Sequence, residues 1–342
     1  MGDGFLMSKD LAIDLGTANT LVYTAGQGIT FNEPTVIAVH SPTGKVLEMG
    51  ERAWDVIDRA PGNVTAVRPL RDGKINDFDV LQRMMKLILE RVRAQRFPRP
   101  RVLITVPSAI TQVERRAVEQ AIKHAGGRSV VLVEEPLAAA IGAGLPVHEP
   151  VGNLIVDIGG GTTEMAVVSM GGVVDGRSIS VGGFDMDAAL QRHVSRQYGL
   201  VIGDKTAERV KMAVGSAYPT AGGVRSVRIR GRDTASGGPK DIELTESEVR
   251  EALSGPVREI AAATRKSLAE APPELTHDVL EGGMFLTGGG GMLRGMDMLL
   301  AQECEVPVIL TERPLETVIL GAGKMLEQLD AYRTTLRLET RR

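Results

Sequence analysis

Apolar residues in this chain follow two rhythms. β-branched runs at 10–15, 19–24, 35–40 and 45–49, bounded by Gly, Pro and Asn, predict strands. A longer period takes over at 77–94, where Leu81, Met84, Met85, Ile88, Leu89 and Val92 recur every three or four positions and predict one buried helix face. That spacing reads as core and not as a partner groove. The strand RVLITV (101–106), a helix over 111–125, the strand SVVLVEE (129–135) and a helix beginning at Pro136 follow. Proline suits a helix's first turn, where its missing N–H is not needed. The second half repeats this order, with strands at 153–158, 163–169 and 173–181 and helices at 184–198 and 204–214. A β-rich stretch at 224–244 and a helix at 246–269 complete it. This succession predicts α/β lobes with mixed sheets, not a purely parallel doubly wound sheet.

The repetition extends to chemistry. IDLGTANT (13–20) returns as VDIGGGTTE (156–164), each an apolar run ending in an aspartate, then a Gly/Thr turn, then a second apolar run. A duplicated strand–Asp–turn–strand points to two lobes facing one ligand. Glycines let backbone approach closely, so the turn N–H groups form a concavity for anionic oxygens. Asp14 and Asp157 would then need a cation beside those oxygens, and Mg²⁺, which prefers hard oxygen ligands and keeps several waters, is the usual one. Either turn alone also reads as an ordinary hairpin. A third glycine cluster, LTGGGGML (286–293), again follows a short strand and suits close packing against a flat ring or sugar. No GxxxxGK[ST] pattern occurs, so a Walker-type loop is not the phosphate holder.

Composition narrows the classes. At 342 residues the chain predicts two domains, and 43% hydrophobic residues give ample material for two cores. A net charge of −3 and 3% aromatics give no nucleic-acid signature. The single cysteine, Cys304, excludes an intrachain disulfide, fits a reducing compartment and reads as packing near a helix end. No 18-residue apolar run or signal-peptide core is present, which predicts a cytoplasmic protein. The five histidines are scattered without metal-ligand spacing.

At this point the chain resembles the bacterial actin homologues of the MreB and Mbl type. The strings that carry the likeness are DLGTANT, NEPTVIAV (32–39), RPLRDG (68–73), VERRAV (113–118), EEPLAAAIGAGLPV (134–147), DIGGGTTE, TAERVK (206–211) and FLTGGGG, spanning 8–331. The Asp-turn and glycine signals are shared with sugar kinases and heat-shock ATPases, whereas RPLRDG, VERRAV and the long EEP run are narrower. The resemblance implies an actin-like ATPase fold: two duplicated ribonuclease-H-like lobes around a nucleotide cleft, each with a smaller inserted subdomain. Lobe I would be 8–147, completed by a C-terminal helix over 325–342; lobe II would be 148–324, with its inserted subdomain at about 182–249.

The same likeness implies ATP and Mg²⁺ in the cleft. Thr17, Ala18 and Asn19 would lie in the first phosphate turn and Gly160, Gly161, Thr162 and Thr163 in the second. Glu208 and Lys211 would contact the ribose and base, and Gly288, Gly289, Gly290 and Gly291 would close over the nucleoside. Asp14 and Asp157 would hold Mg²⁺ through water. Glu135 matches the residue that activates the attacking water, with Thr162 helping to position it. Independently of the family, Glu135 sits between a strand and a helix, where α/β ligand sites gather; it also reads as an acid favoured at a helix N-terminus.

Further implications are assembly with itself into paired-protofilament filaments, a place at the inner face of the cytoplasmic membrane, and membrane-protein partners of the wall-elongation machinery that sets cell shape. RVRAQRFPRPR (91–101) places Arg91, Arg93, Arg96, Arg99 and Arg101 around Phe97, a pattern that suits anionic lipid, with Phe5, Leu6 and Met7 as a second insertion point. The run reads equally as a solvated helix end. Three departures from the family pattern stand out: Phe184 replaces an acid, Gly291 adds a fourth glycine, and IND (75–77) replaces I-A-D. A small-molecule kinase would need an acceptor pocket of its own, and a chaperone-type ATPase a substrate domain after the ATPase; neither is legible here.

Overall fold

The computed structural model describes residues 9–57, 62–71, 73–92, 98–219, 225–329, 332 and 340–341. Its frame is two sheets built to one plan. In the first, Leu11–Leu15 pairs antiparallel with Asn19–Thr24, which pairs antiparallel with Gly28–Pro34. On its other side Leu11–Leu15 runs parallel to Arg101–Val106, and that strand runs parallel to Ser129–Glu134. The second sheet repeats this, with Asn153–Ile158 antiparallel to Thr163–Ser169 and that strand antiparallel to Gly172–Ile179. Asn153–Ile158 is parallel to Met284–Thr287, which is parallel to Val308–Leu310. Mixed sheets with helix crossovers are what the alternating apolar runs require. The central strands are buried on both faces and so read as continuous apolar segments.

Between the sheets lie two helices, Glu135–Gly142 and Thr317–Glu327. Their backbones meet at glycines: a Cβ on Gly321 would collide with the Ala138 carbonyl, and one on Gly142 with that of Thr317. The core around them takes Ala12, Leu103 and Val131 from the first sheet and Ile155, Ala166 and Val168 from the second. Apolar burial therefore welds the two sheets on one side and leaves a cleft on the other.

Each half carries an insert. In the first, Ile37–His40, Lys45–Met49 and Val64–Val67 form a small sheet beside helix Glu51–Val56, followed by a hairpin of Leu70–Arg71 and Lys74–Ile75. In the second, Leu200–Val201, Ser226–Asp233 and Pro239–Thr245 form a sheet against helices Gly183–Tyr198 and Asp204–Val214.

Several expectations need correction. Of the helix expected over 325–342, 325–327 close the helix Thr317–Glu327, 330–331 and 333–339 lie outside the described residues, and Thr340–Arg341 is a strand paired antiparallel with Ser129–Glu134. Helix and strand meet one residue earlier than expected, so Glu135 opens the helix that was expected to begin at Pro136. Strand Gly28–Pro34 and helices Glu51–Val56 and Pro273–Gly282 were missed. The first is an edge strand with a single buried residue, Phe31, and so carries no alternation to detect. The methionines at 84 and 85 are buried, as core.

Candidate functional site

Both Asp-bearing hairpins turn at the same cleft. In the first, Asp14 lies opposite Leu21 and the turn spans 16–18. The Thr105 hydroxyl donates to Asp14 Oδ1 at 2.9 Å. Behind the turn, Thr35 donates its hydroxyl to the Gly16 carbonyl at 2.6 Å and its backbone N–H to the Ala18 carbonyl at 2.8 Å. In the second hairpin, Asp157 lies opposite Glu164 and the turn is closed by Gly159 N–H donating to the Thr162 carbonyl at 2.8 Å. Its carbonyls are pinned by backbone: Gly183 N–H donates to Gly159 at 3.0 Å and Phe184 N–H to Gly160 at 2.8 Å. Pinning these carbonyls behind the turns fixes the peptide planes, the prerequisite for amides aimed at an anion.

The turns touch one another. A Cβ on Gly160 would come within 2.6 Å of the Ala18 Cβ, so glycine is what lets the halves close on one point. The cavity between them holds about 550 Å³, a size usual for a small-molecule or cofactor site. Asp14, Thr17, Ala18, Asn19, Glu135, Asp157, Gly160 and Thr162 line it. So do Glu208, Lys211, Gly288, Gly289 and Gly290, with Met212, Met292 and Leu315. Three of the expected residues stand behind the surface. Thr163 is buried and donates its hydroxyl to the Val181 carbonyl at 2.8 Å. Gly161 and Gly291 are buried as well, and a Cβ on Gly291 would meet Leu286 at 3.0 Å, so the fourth glycine serves packing.

Carboxylates gather where the two glycine turns meet. Burial, opposed by the Thr105 hydrogen bond, raises Asp14 to about 6. Burial, then the charges of Asp14 and Glu164, raise Asp157 to about 7. Glu135, first residue of its helix, is held well above the usual range by burial and then by Asp14, Glu164 and Asp157. Glu164, only 2% exposed, is raised by burial too. The sequence reading passed over Glu164 as a site residue. The hairpin itself held the signal, because a turn of 159–162 places 164 directly across from Asp157.

Among the described residues no group of three or more His, Cys, Asp or Glu converges as a metal cage. Asp14 and Asp157 offer hard carboxylate oxygens of the kind Mg²⁺ takes, since it keeps most of its waters and binds through one or two carboxylates. Lys211 lines the cavity with its ammonium tied to the helix beside it, donating to the Gly183 carbonyl and to Asp187 Oδ2, both at 2.9 Å. Burial pushes Asp187 up to about 6 against the pull of Lys211. This partner was also missed, having no periodic signal to set it apart within its helix.

The departure at Phe184 leaves the second turn intact, because its support is the backbone N–H and not the side chain. Asp185 caps the same helix by accepting from Gly182 N–H at 2.9 Å. Of the arginine run, Arg91 pairs with Glu33 at 2.9 Å and Arg101 with Asp10 at 2.8 Å, while Arg99 is exposed. Phe97, Arg96, Arg93 and the N-terminal Phe5, Leu6 and Met7 lie outside the described residues. Among the described residues no helix is long and apolar enough to cross a membrane.

Comparison with known proteins agrees with this architecture. The family model described as MreB/Mbl protein matches residues 8–334. The cell shape-determining protein MreB of Escherichia coli (strain K12) is 48% identical over 333 residues, 96% of each chain. The crystal structure of MreB5 of Spiroplasma citri bound to ADP superposes with a TM-score of 0.90 at 34% identity, covering 95% of this chain and 97% of that one. A MamK double helical filament shares the fold, with a TM-score of 0.79 at 20% identity over 93% of this chain and 99% of its own. The two sheets of one plan, the cleft between their Asp hairpins and these likenesses together place the chain in the MreB/Mbl family, with its actin-like fold.

Proposed function

We propose that this protein is a cytoskeletal ATPase that binds ATP and Mg²⁺ in the cleft, polymerises, and acts in cell shape. The observation that carries the reading is the meeting of two pinned glycine turns, one from each half, over a cluster of half-buried carboxylates. Cell shape enters through the family and its MreB relatives, and nucleotide through the ADP-bound relative. The block 8–147 would be one lobe and 148–324 the other, with the insert of the second at about 182–249.

Hydrolysis of a γ-phosphate demands alignment and charge compensation more than covalent chemistry from the protein. The amides of turns 16–18 and 159–162, with Thr17 and Asn19, would hold the phosphate oxygens. Glu208 and Lys211 would face the ribose and base, with Gly288 to Gly290 closing over the nucleoside. Mg²⁺, when bound, supplies the positive charge that offsets phosphates and acids together, and Asp14 and Asp157 would hold it through water. Glu135 would accept the proton of the attacking water; a carboxylate held above its ordinary range is the stronger base for that step. Thr162 would fix the water with its hydroxyl.

Filaments follow from head-to-tail contacts that do not close, which need only repeated identical subunits. We extend the reading to a peripheral position at the cytoplasmic membrane, through Arg96, Phe97, Arg99 and the N-terminus, and to membrane proteins of wall elongation. Flotation with anionic liposomes, comparing wild type with Phe97→Ala, tests the membrane part, and no binding by either removes it. The central test is phosphate release with electron microscopy in ATP and Mg²⁺. Wild type is expected to form filaments and release phosphate, while Glu135→Ala retains nucleotide binding and slows release about 10²- to 10⁴-fold. Equal turnover by Glu135→Ala would remove it from the mechanism.

A further inference from the structure

The hairpin of Leu70–Arg71 and Lys74–Ile75 begins in the RPLRDG string (68–73), which the cleft chemistry above leaves without a role. Its strands Leu70–Arg71 and Lys74–Ile75 are two residues each, too short to hold a position by their own ladder. Leu70 is buried in the core of the first half, with Ile75 packed against it, and the segment meets the second half at two further points. At one, the Arg68 guanidinium lies 4.2 Å from the ring centre of Phe184 and 5.1 Å from that of Trp54, and pairs with Asp204 at 3.9 Å. Trp54 belongs to the first insert, whereas Phe184 and Asp204 begin two helices of the second half. At the other point, Gly73 rests on the second phosphate turn. A Cβ there would lie 2.7 Å from Thr162 Cγ2 and 3.8 Å from Pro107 Cγ, and the residue has φ of +71°. Leu70, Gly73 and Ile75 line the cleft beside Thr162.

From these contacts we infer that Gly73 is a positioning residue for hydrolysis: its hairpin, anchored by Arg68 on Phe184, backs the Thr162 methyl and thereby fixes the direction of the Thr162 hydroxyl. A threonine has few χ1 states, and a wall against Cγ2 selects among them. The role rests on the reading of Thr162 proposed above. It also gives the Phe184 departure a meaning, since an aromatic face accepts a guanidinium by cation–π contact.

The experiment is single-turnover ATP hydrolysis with Mg²⁺, with nucleotide Kd measured beside it. Gly73→Ala is compared with Gly26→Ala, whose φ is also +71° but whose Cβ would meet nothing within 4 Å. Gly26→Ala controls for backbone strain alone. Gly73→Ala is expected to slow hydrolysis about 10- to 100-fold, the size of a misplacement near 1 Å, with Kd within about threefold. In a Thr162→Ser background, which keeps the hydroxyl and removes Cγ2, Gly73→Ala is expected to cost less than about threefold. Should Gly73→Ala not fold, Phe184→Ala and Phe184→Tyr test the anchor: the alanine is expected to be slower by about fivefold and the tyrosine to recover most of that rate.

The inference is overturned if Gly73→Ala is no slower than Gly26→Ala, if its effect is the same size in the Thr162→Ser background, or if Phe184→Ala and Phe184→Tyr turn over alike. Failure of the underlying reading looks different. There, Glu135→Ala and Thr162→Ala would themselves hydrolyse at the wild-type rate.

Discussion

The two Asp hairpins perform one task with different materials. The first turn has its carbonyls pinned by a single threonine, Thr35, through hydroxyl and N–H together, and Thr35 is itself braced by the Thr20 hydroxyl at 2.9 Å. The second has its carbonyls pinned by consecutive N–H groups at the start of a helix, with glycines packed so tightly that side chains are excluded. The aspartates differ accordingly. Asp14 receives the Thr105 hydroxyl and sits at about 6, while Asp157 has burial and two acidic neighbours raising it to about 7. The backbone plan is shared, and each half braces it differently. The first half is tunable by hydroxyl chemistry, and the second is rigid and electrostatically more in need of a cation.

The largest break is expected at Gly288. Its φ is +81°, and a Cβ would collide with the Asp157 carboxylate and the Ile158 carbonyl. Gly288→Ala combines an unfavourable backbone with overpacking, which sums to about 3 to 4 kcal/mol. Urea unfolding checks it, and a loss under about 1 kcal/mol would mean the second hairpin yields as readily as the first. Thr35→Ala, the matching lesion in the first half, removes two hydroxyl contacts from a buried position and is expected to cost about 2 kcal/mol while leaving the backbone N–H bond in place. If the order of the two variants were reversed, the division into a rigid and a tunable half would be wrong.

That division also decides what the sequence disclosed. The paired hairpins were legible because strand–Asp–glycine–strand is local, and a glycine run needs no partner to be noticed. The main helices and central strands were legible from their apolar periods. Glu164 and Asp187 were not, because their importance lies in what faces them across the hairpin and in the tie to Lys211 at position 211, 24 residues away. Thr35 was likewise invisible, since nothing near it in the chain announces that it folds back onto 16–18. Thr163 and Gly291 went the other way, sharing the motif's composition but turned into the core. A motif names a turn; which of its residues face the cleft depends on strand alternation and packing behind it.

The acidity of the pair supplies a smaller test, on nucleotide-free protein. Both aspartates have folded values above the ordinary carboxylate range, so between that range and the raised value the native protein binds more protons than the unfolded chain. Stability from these groups therefore falls as pH rises, across about pH 4 to 6 for Asp14 and about pH 4 to 7 for Asp157. Asp157→Asn is expected to flatten the decline of Tm up to about pH 7, and Asp14→Asn mainly below about pH 6, with some relief of Asp157 through the lost charge. Melting curves from pH 4 to 8 check this, and identical profiles for the two variants would contradict the asymmetry.

The smallest expected effect, and the most pointed, comes from making the first half resemble the second. Thr105 is 2% exposed, and valine matches its shape while removing the hydroxyl that donates to Asp14. Thr105→Val is expected to cost about 1 kcal/mol and to raise Asp14 by about one pH unit, because the bond favours its charged form. A more protonated Asp14 repels Asp157 less, and that charge is the second-ranked cause of the elevation of Asp157. The two values should therefore converge from opposite directions, Asp14 rising and Asp157 falling. Carbon-13 NMR titration of the aspartate carboxyls reads both at once. If Asp14 rose while Asp157 stayed fixed, the two acids would be independent, and the cleft would be two separate sites sharing a wall instead of one field shared by both hairpins.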